Sequence, residues 1–162
     1  IWRIGDTYNM SIGQGGVRVT PLQMITATAA IANGGKLFRP RLLDAVLDKD
    51  GNVVSQKDPE LIRQGMASPD VLGHVARGMR QTVTMGTARR LNEVPVAIAA
   101  KTGTAQAGSG KPHAWVTAFG PFEDPELAVV VMVEHAGEGA TVAVPIMRDI
   151  LSWYFDPGRK RD

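Results

Sequence analysis

The sequence contains no cysteine, which excludes disulfides, thiolate-bound zinc and thiol nucleophiles. Its three histidines, His74, His113 and His135, lie far apart and lack the HxxxH spacing of a helical metal pair. They read as surface or packed imidazoles, and neither a metal nor a cofactor is expected. No apolar run is long enough to span a bilayer, and the opening residues carry no signal-peptide pattern. An excess of either charge sign is lacking as well. The formal net charge is +2, with acids and bases interspersed outside the Arg159-Lys160-Arg161 tail, so no nucleic-acid-binding face is expected.

What is present is apolar material: 44% of 162 residues are hydrophobic, enough for the core of one compact domain. The chain opens at Ile1-Trp2-Arg3 without an initiator Met and without capping chemistry, which reads as a cut through a larger protein. Thr20-Pro21-Leu22-Gln23 combines an N-cap, a proline at the first helical position and a capping-box glutamine, and predicts a helix through Ala32 that stops at Asn33-Gly34-Gly35. Asp50-Gly51 between Leu42–Leu47 and Asn52–Ser55 predicts a hairpin. Ser68-Pro69 opens a second helix, with Val71, Leu72, Val75, Met79 and Val83 at helical spacing.

The last third is β-rich. Val94–Thr104, Ala114–Phe122 and Leu127–Glu134 predict three antiparallel strands, followed by a closing helix from about Ala143 to Phe155 with Ile146, Ile150, Leu151 and Tyr154 on its inner face. The expected architecture is α+β: an antiparallel sheet of three strands plus a hairpin, packed by helices.

One segment carries chemistry. In Ala99-Ala100-Lys101-Thr102-Gly103-Thr104-Ala105-Gln106, strand alternation puts Thr102 and Thr104 on one face and Lys101 and Gly103 on the other. Hydroxyl donors beside an ammonium suit a carboxylate, Gly103 permits close backbone approach, and an edge N–H could stabilise an oxyanion. Two rivals are weaker. Gly108-Ser109-Gly110-Lys111 fails as a phosphate loop, because Ala105 stands where a glycine is needed and Pro112 follows the lysine. Glu123, Asp124, Glu126, Glu134 and Glu138 form no pair by spacing and read as solvated turn residues.

The Lys101-Thr102-Gly103-Thr104 run resembles the KTGT box of the penicillin-binding protein and serine β-lactamase superfamily. Ser11-Ile12-Gly13-Gln14-Gly15, Val19-Thr20-Pro21-Leu22-Gln23, Ala29–Gly35, Met85-Gly86-Thr87-Ala88, His113-Ala114-Trp115 and Ala128–Val131 extend the resemblance along nearly the whole chain. In that order they are similar to class B penicillin-binding proteins, the peptidoglycan D,D-transpeptidases, and within them to the elongation type. The resemblance implies substrate-binding roles for Lys101, Thr102, Gly103, Thr104 and Gln106. Lys101 would support the serine of an SxN motif, the two threonines would hold the carboxylate of a D-Ala-D-Ala stem peptide or a β-lactam, and the Thr104 N–H would form half of the oxyanion hole. It also implies an extracytoplasmic parent involved in cell-wall synthesis and cell shape.

The attacking group is missing. Ser11, Ser55, Ser68, Ser109 and Ser152 are followed three residues later by Gln14, Asp58, Val71, Pro112 and Phe155, so none gives SxxK, and Ser68-Pro69-Asp70 reads as a helix start rather than an SxN box. Residues 1–162 are therefore expected to be the C-terminal portion of a transpeptidase domain, inactive alone, with the SxxK and SxN motifs upstream of Ile1. A non-catalytic ligand-binding or partner-binding module on the same fold is the alternative. The resembled sheet has five strands, so the Leu127–Glu134 strand is expected to lack a neighbour, inviting dimerisation, strand exchange or association with the missing portion. Asp6, Tyr8 and Asn9 receive no role.

Overall fold

The computed structural model describes residues 1–108 and 110–159; Ser109, and Lys160 and Arg161 of the basic tail, lie outside the described residues. Helix α1 (Ile4–Ser11) begins the chain, and helix α2 (Pro21–Ala32) follows with its capping box formed: the Thr20 hydroxyl accepts from the Gln23 N–H at 3.2 Å, and the Gln23 side chain accepts from the Thr20 N–H at 2.9 Å. Two small sheets come next. Strand β1 (Leu37–Phe38) pairs with β4 (Leu61–Arg63), enclosing the hairpin of β2 (Ala45–Leu47) and β3 (Val53–Gln56). Asp48 ties the hairpin turn, its carboxylate accepting from the N–H groups of Asp50 and Asn52 at 2.9 Å.

Helix α3 (Pro69–Thr84) starts as the sequence predicts, with the Ser68 hydroxyl accepting from the Val71 N–H. A 3₁₀ turn over Arg89–Glu93 then leads to the main sheet of β5 (Ala99–Ala105), β6 (His113–Gly120) and β7 (Leu127–Val133), antiparallel in that order. A π turn over Gly139–Ala143 feeds helix α4 (Val144–Tyr154). This is the expected α+β arrangement.

Register sorts the sheet's two faces. Ala100, Ala114, Val116 and Ala118 point toward α4 and the 3₁₀ turn, packing with Val83, Leu91, Ile98, Met147 and Leu151 into the main buried cluster. The opposite face carries Ala99, Lys101, Gly103, Trp115, Thr117 and Phe119; Phe119 and Ala99 pack there against Met79 of α3 and Ile31 of α2. One buried polar pair pins α2 to this face: the hydroxyls of Thr28 and Thr117 are 2.6 Å apart.

Four features depart from the sequence reading, the first being the β1–β4 pair, which adds a small sheet to the three strands and hairpin expected. Helix α1 is not anticipated; Arg3 is an unusual N-cap whose N–H is taken by the Asp6 carboxylate at 2.8 Å. On α3, Met79 and Val83 are buried, but Val71 and Val75 remain exposed. On α4 the inner stripe is Val144, Met147 and Leu151, continued by Phe155, whereas Ile146 and Ile150 are exposed. Both α4 stripes satisfy a helical period. The entry angle from the π turn, where buried Ala143 meets the core, selects one of them.

That turn also presses on the sheet. A Cβ built on Gly139 would stand 2.2 Å from the Trp115 carbonyl oxygen and 2.5 Å from that of Gly103. Gly139→Ala should therefore destabilise the fold by about 1–3 kcal/mol through overpacking, measured by urea denaturation; an unchanged midpoint would show that the contact is not tight. The hairpin supplies a pH-dependent expectation. Hydrogen bonds from Asn52, first its side chain and then its N–H, hold the Asp48 carboxyl below its ordinary value. A depressed folded-state pKa stabilises the charged form, so the contribution is present above the unfolded value, about 4. It is lost as pH falls through the folded value. The Asp50 and Asn52 amide resonances should shift in that acidic window in the native protein and not in Asp48→Ala.

Candidate substrate-binding groove

The site is built on the outer edge of β5. Because β6 occupies one side of this strand, its other side presents backbone groups with no strand partner along a groove of about 780 Å³. Lys101, Thr102, Gly103 and Thr104 all line it, with Trp115 and His113 from β6, Met24 from α2, and Ser11, Gln14 and Arg18 from the N-terminal segment. Among the described residues its charged lining side chains are Arg18 and Lys101, with no carboxylate, so these give the groove positive potential. Glu123, Asp124, Glu126, Glu134 and Glu138 are exposed and none of them lines it.

The four strand residues serve it differently. Thr102 and Thr104 fall on the α4 side of β5, aligned with Val116 and Ala114 of β6; Lys101 and Gly103 fall on the α2 side, aligned with Thr117 and Trp115. The groove wraps the strand edge and so receives both sets. The Thr102 hydroxyl is 2.6 Å from that of Thr87, which follows α3, and Thr104 is exposed. The Lys101 ammonium donates to the Thr102 carbonyl, which places the charge at the open edge. A Cβ on Gly103 would stand 3.3 Å from Cβ of Trp115, so a side chain would crowd the sheet here.

Gln106 follows β5 and is exposed; it is not among the residues that line the groove. Its N–H points at the Gln14 side-chain oxygen at 3.4 Å, while Nε2 of Gln14 donates to the Thr104 carbonyl at 2.8 Å. Sequence reasoning missed Gln14, Arg18, Trp115 and His113 as groove residues, and Thr87 as the hydroxyl partner of Thr102. The motif runs around Gln14, Thr87 and the His113–Trp115 pair mark them, but only the fold brings them to β5.

Among the described residues Ser11 is the one serine that lines the groove, and its hydroxyl donates to the Tyr8 carbonyl at 2.7 Å, inside its own helix turn. Ser68 caps α3. Among the described residues no serine hydroxyl is hydrogen-bonded to a lysine, and no group of three or more His, Asp or Glu could hold a metal ion. Lys111 is followed by strand β6 and not by the helix that a phosphate loop requires. No helix among the described residues is long and apolar enough to cross a membrane.

The fold is α+β, and along its open strand edge runs a groove bearing cationic and hydroxyl side chains, a chemistry that suits an anionic group. The penicillin-binding protein transpeptidase domain model matches residues 2–152, and the chain belongs to this family. It is 34% identical over 175 residues to peptidoglycan D,D-transpeptidase MrdA of Haemophilus influenzae, covering 96% of this chain and 26% of that protein. It is 37% identical over 147 residues to peptidoglycan D,D-transpeptidase PbpA of Mycolicibacterium smegmatis, covering 85% and 30%. Among solved structures, the imipenem acyl-enzyme complex of Mycobacterium tuberculosis penicillin-binding protein A superposes with a TM-score of 0.77 at 34% identity, covering 90% of this chain and 33% of that one. The chain thus spans between about a quarter and a third of the length of these relatives.

The Thr28–Thr117 pair fixes α2 behind Lys101, because Thr117 is the register partner of Lys101. Thr28→Val should cost about 1–3 kcal/mol by leaving the buried Thr117 hydroxyl only the Val129 carbonyl at 3.4 Å, whereas the Thr28→Val/Thr117→Val double variant should cost less than the sum of the singles. Additive losses in thermal denaturation would contradict a coupled pair.

Proposed function

We propose that this chain forms the KTGT wall of a serine D,D-transpeptidase, binding the C-terminal carboxylate of a D-Ala-D-Ala stem peptide or of a β-lactam at the open edge of β5. The observation that carries the reading is the alignment of Lys101, Thr102, Gly103 and Thr104 along a groove lined, among the described residues, by cationic side chains and no acidic ones. In it, the hydroxyls of Thr102 and Thr104 donate to the carboxylate, and Lys101 and Arg18 supply positive potential. The Thr104 N–H, directed away from β6, stabilises the oxyanion that develops when a serine attacks the carbonyl.

That serine and its lysine belong to the upstream part of the same domain, in an extracytoplasmic parent. The parent's reaction is acyl transfer: serine oxygen bonds to the penultimate D-alanine carbonyl carbon, the terminal D-alanine leaves with a proton, and a stem-peptide amine then displaces the serine. Residues 1–162 supply binding and charge stabilisation without the nucleophile. The outer edge of β7 has no strand partner among the described residues, and the upstream part completes the sheet there.

Fluorescent penicillin distinguishes this from a reversible binding module. The chain alone should take no covalent label, and mixing it with the upstream portion should restore labelling on the upstream polypeptide. Covalent label on residues 1–162, or reversible binding with no labelling after the halves associate, contradicts the proposal.

A further inference from the structure

The α2 side of β5 is low where it meets the groove, because Gly103 and Ala105 carry little or no side chain there. Their register partners on β6, Trp115 and His113, reach over them, and both line the groove. His113 is half-buried, with one ring nitrogen engaged and one free. The His135 N–H donates to its Nδ1 at 3.1 Å. A ring nitrogen that accepts a hydrogen bond holds no proton, so the neutral imidazole carries its proton on Nε2. Nε2 lies on the side of the ring away from His135, is not buried, and has no partner among the described residues. The groove thus receives a ring N–H of fixed tautomer.

The chain after β7 holds this ring in place. His135 takes φ of +51°, the left-handed region that residues with a side chain seldom adopt. Its own Nδ1 is 3.2 Å from the Lys111 carbonyl, which can only accept, and the Gly137 N–H donates to the Pro112 carbonyl at 3.0 Å. The two imidazoles stand 4.7 Å apart, centre to centre. Lys111, Pro112 and His113 are therefore each hydrogen-bonded to the segment that follows β7.

The direction of the ligand gives this donor a target. With its terminal carboxylate at the Thr102 and Thr104 hydroxyls and its scissile carbonyl at the Thr104 N–H, a stem peptide continues past Thr104 alongside Ala105, the register partner of His113. At about 3.3 Å per extended residue, the residue preceding the D-Ala pair arrives beside His113. We propose that His113 is a specificity-determining residue whose Nε2–H hydrogen-bonds a carboxylate on the side chain of that preceding residue. Arg18 favours the same charge, since it lines the groove and has no acidic partner among the described residues. This rests on the assignment of the groove as the acyl-donor site. It adds which side chain of the chain reads the peptide beyond the D-Ala pair.

The test uses the full-length protein that carries this chain and three penicillins identical except at the end of the acyl side chain, which bears a carboxylate, a carboxamide or a methyl group. Stopped-flow measurement gives the second-order acylation rate constant for each. Wild type should favour the carboxylate over the methyl compound by about tenfold or more, the worth of a charge-assisted hydrogen bond. His113→Asn keeps an acceptor where Nδ1 stands and has nothing at Nε2; it should lower that preference about tenfold. His113→Gln places an amide N–H near the Nε2 position and should retain most of it. A purely structural role for His113 would slow all three compounds alike and leave the ratio unchanged. An unchanged ratio in His113→Asn, no preference in wild type, or a carboxamide that gains as much as the carboxylate overturns the proposal. A Thr102→Val/Thr104→Val control separates this from failure of the groove assignment: if that variant acylates as wild type does, the groove itself is misassigned.

Discussion

An unpaired strand edge is costly and hazardous to leave open, and β5 keeps one while its other side is fully laddered to β6. The remaining structure can be understood as what holds that edge in place. Core residues Ala100, Val116 and Ala118 anchor the strand from the α4 side, Thr28 and Thr117 fix the sheet to α2 on the other, and Gly139 supports Gly103 from beneath at a distance that admits no side chain. The groove is therefore placed by packing on three sides. Only its wetted rim, from Lys101 to Thr104 and across to Gln14 and Arg18, is left to chemistry.

A single wall of this kind explains both what the chain has and what it lacks. A cationic rim with hydroxyl and amide donors is complementary to a carboxylate and to an oxyanion, but among the described residues it contains no activated nucleophile: Ser11 is the only described serine lining it, and its hydroxyl donates within its own helix. Several apolar residues are uncovered, as the proposed upstream counterpart would require. Val71 and Val75 on α3, Ile4, Tyr8 and Ile12 in and after α1, and Leu22 on α2 are exposed, and apolar side chains in such number usually meet another surface. The family's relatives are three to four times longer than the region they share with this chain.

Much of this was legible in the sequence because local chemistry dictated it. Thr20-Pro21-Leu22-Gln23 and Ser68-Pro69 state their helix starts outright, and both caps form as written. The three β-rich runs became three antiparallel strands, and alternation correctly divided Lys101 and Gly103 from Thr102 and Thr104. What stayed hidden depended on the fold. The α4 sequence is apolar on two stripes, so period alone could not choose between Met147 and Ile150. Helix α1 has an arginine cap, for which propensity gives no cue. The hydroxyl contact between Thr87 and Thr102 joins segments whose meeting depends on how α3 and the 3₁₀ turn return the chain to β5. Gln14 was visible as part of a glycine-rich motif, but its partner was not.

The most direct test of the account is a crystal structure of the full-length protein carrying this chain, acylated by a penicillin. The account predicts the ligand carboxylate within hydrogen-bond distance of the Thr102 and Thr104 hydroxyls, the ester carbonyl oxygen accepting from the Thr104 N–H, and the bonded serine outside residues 1–162. A ligand bound away from the β5 edge, or an ester on a serine of this chain, would contradict it.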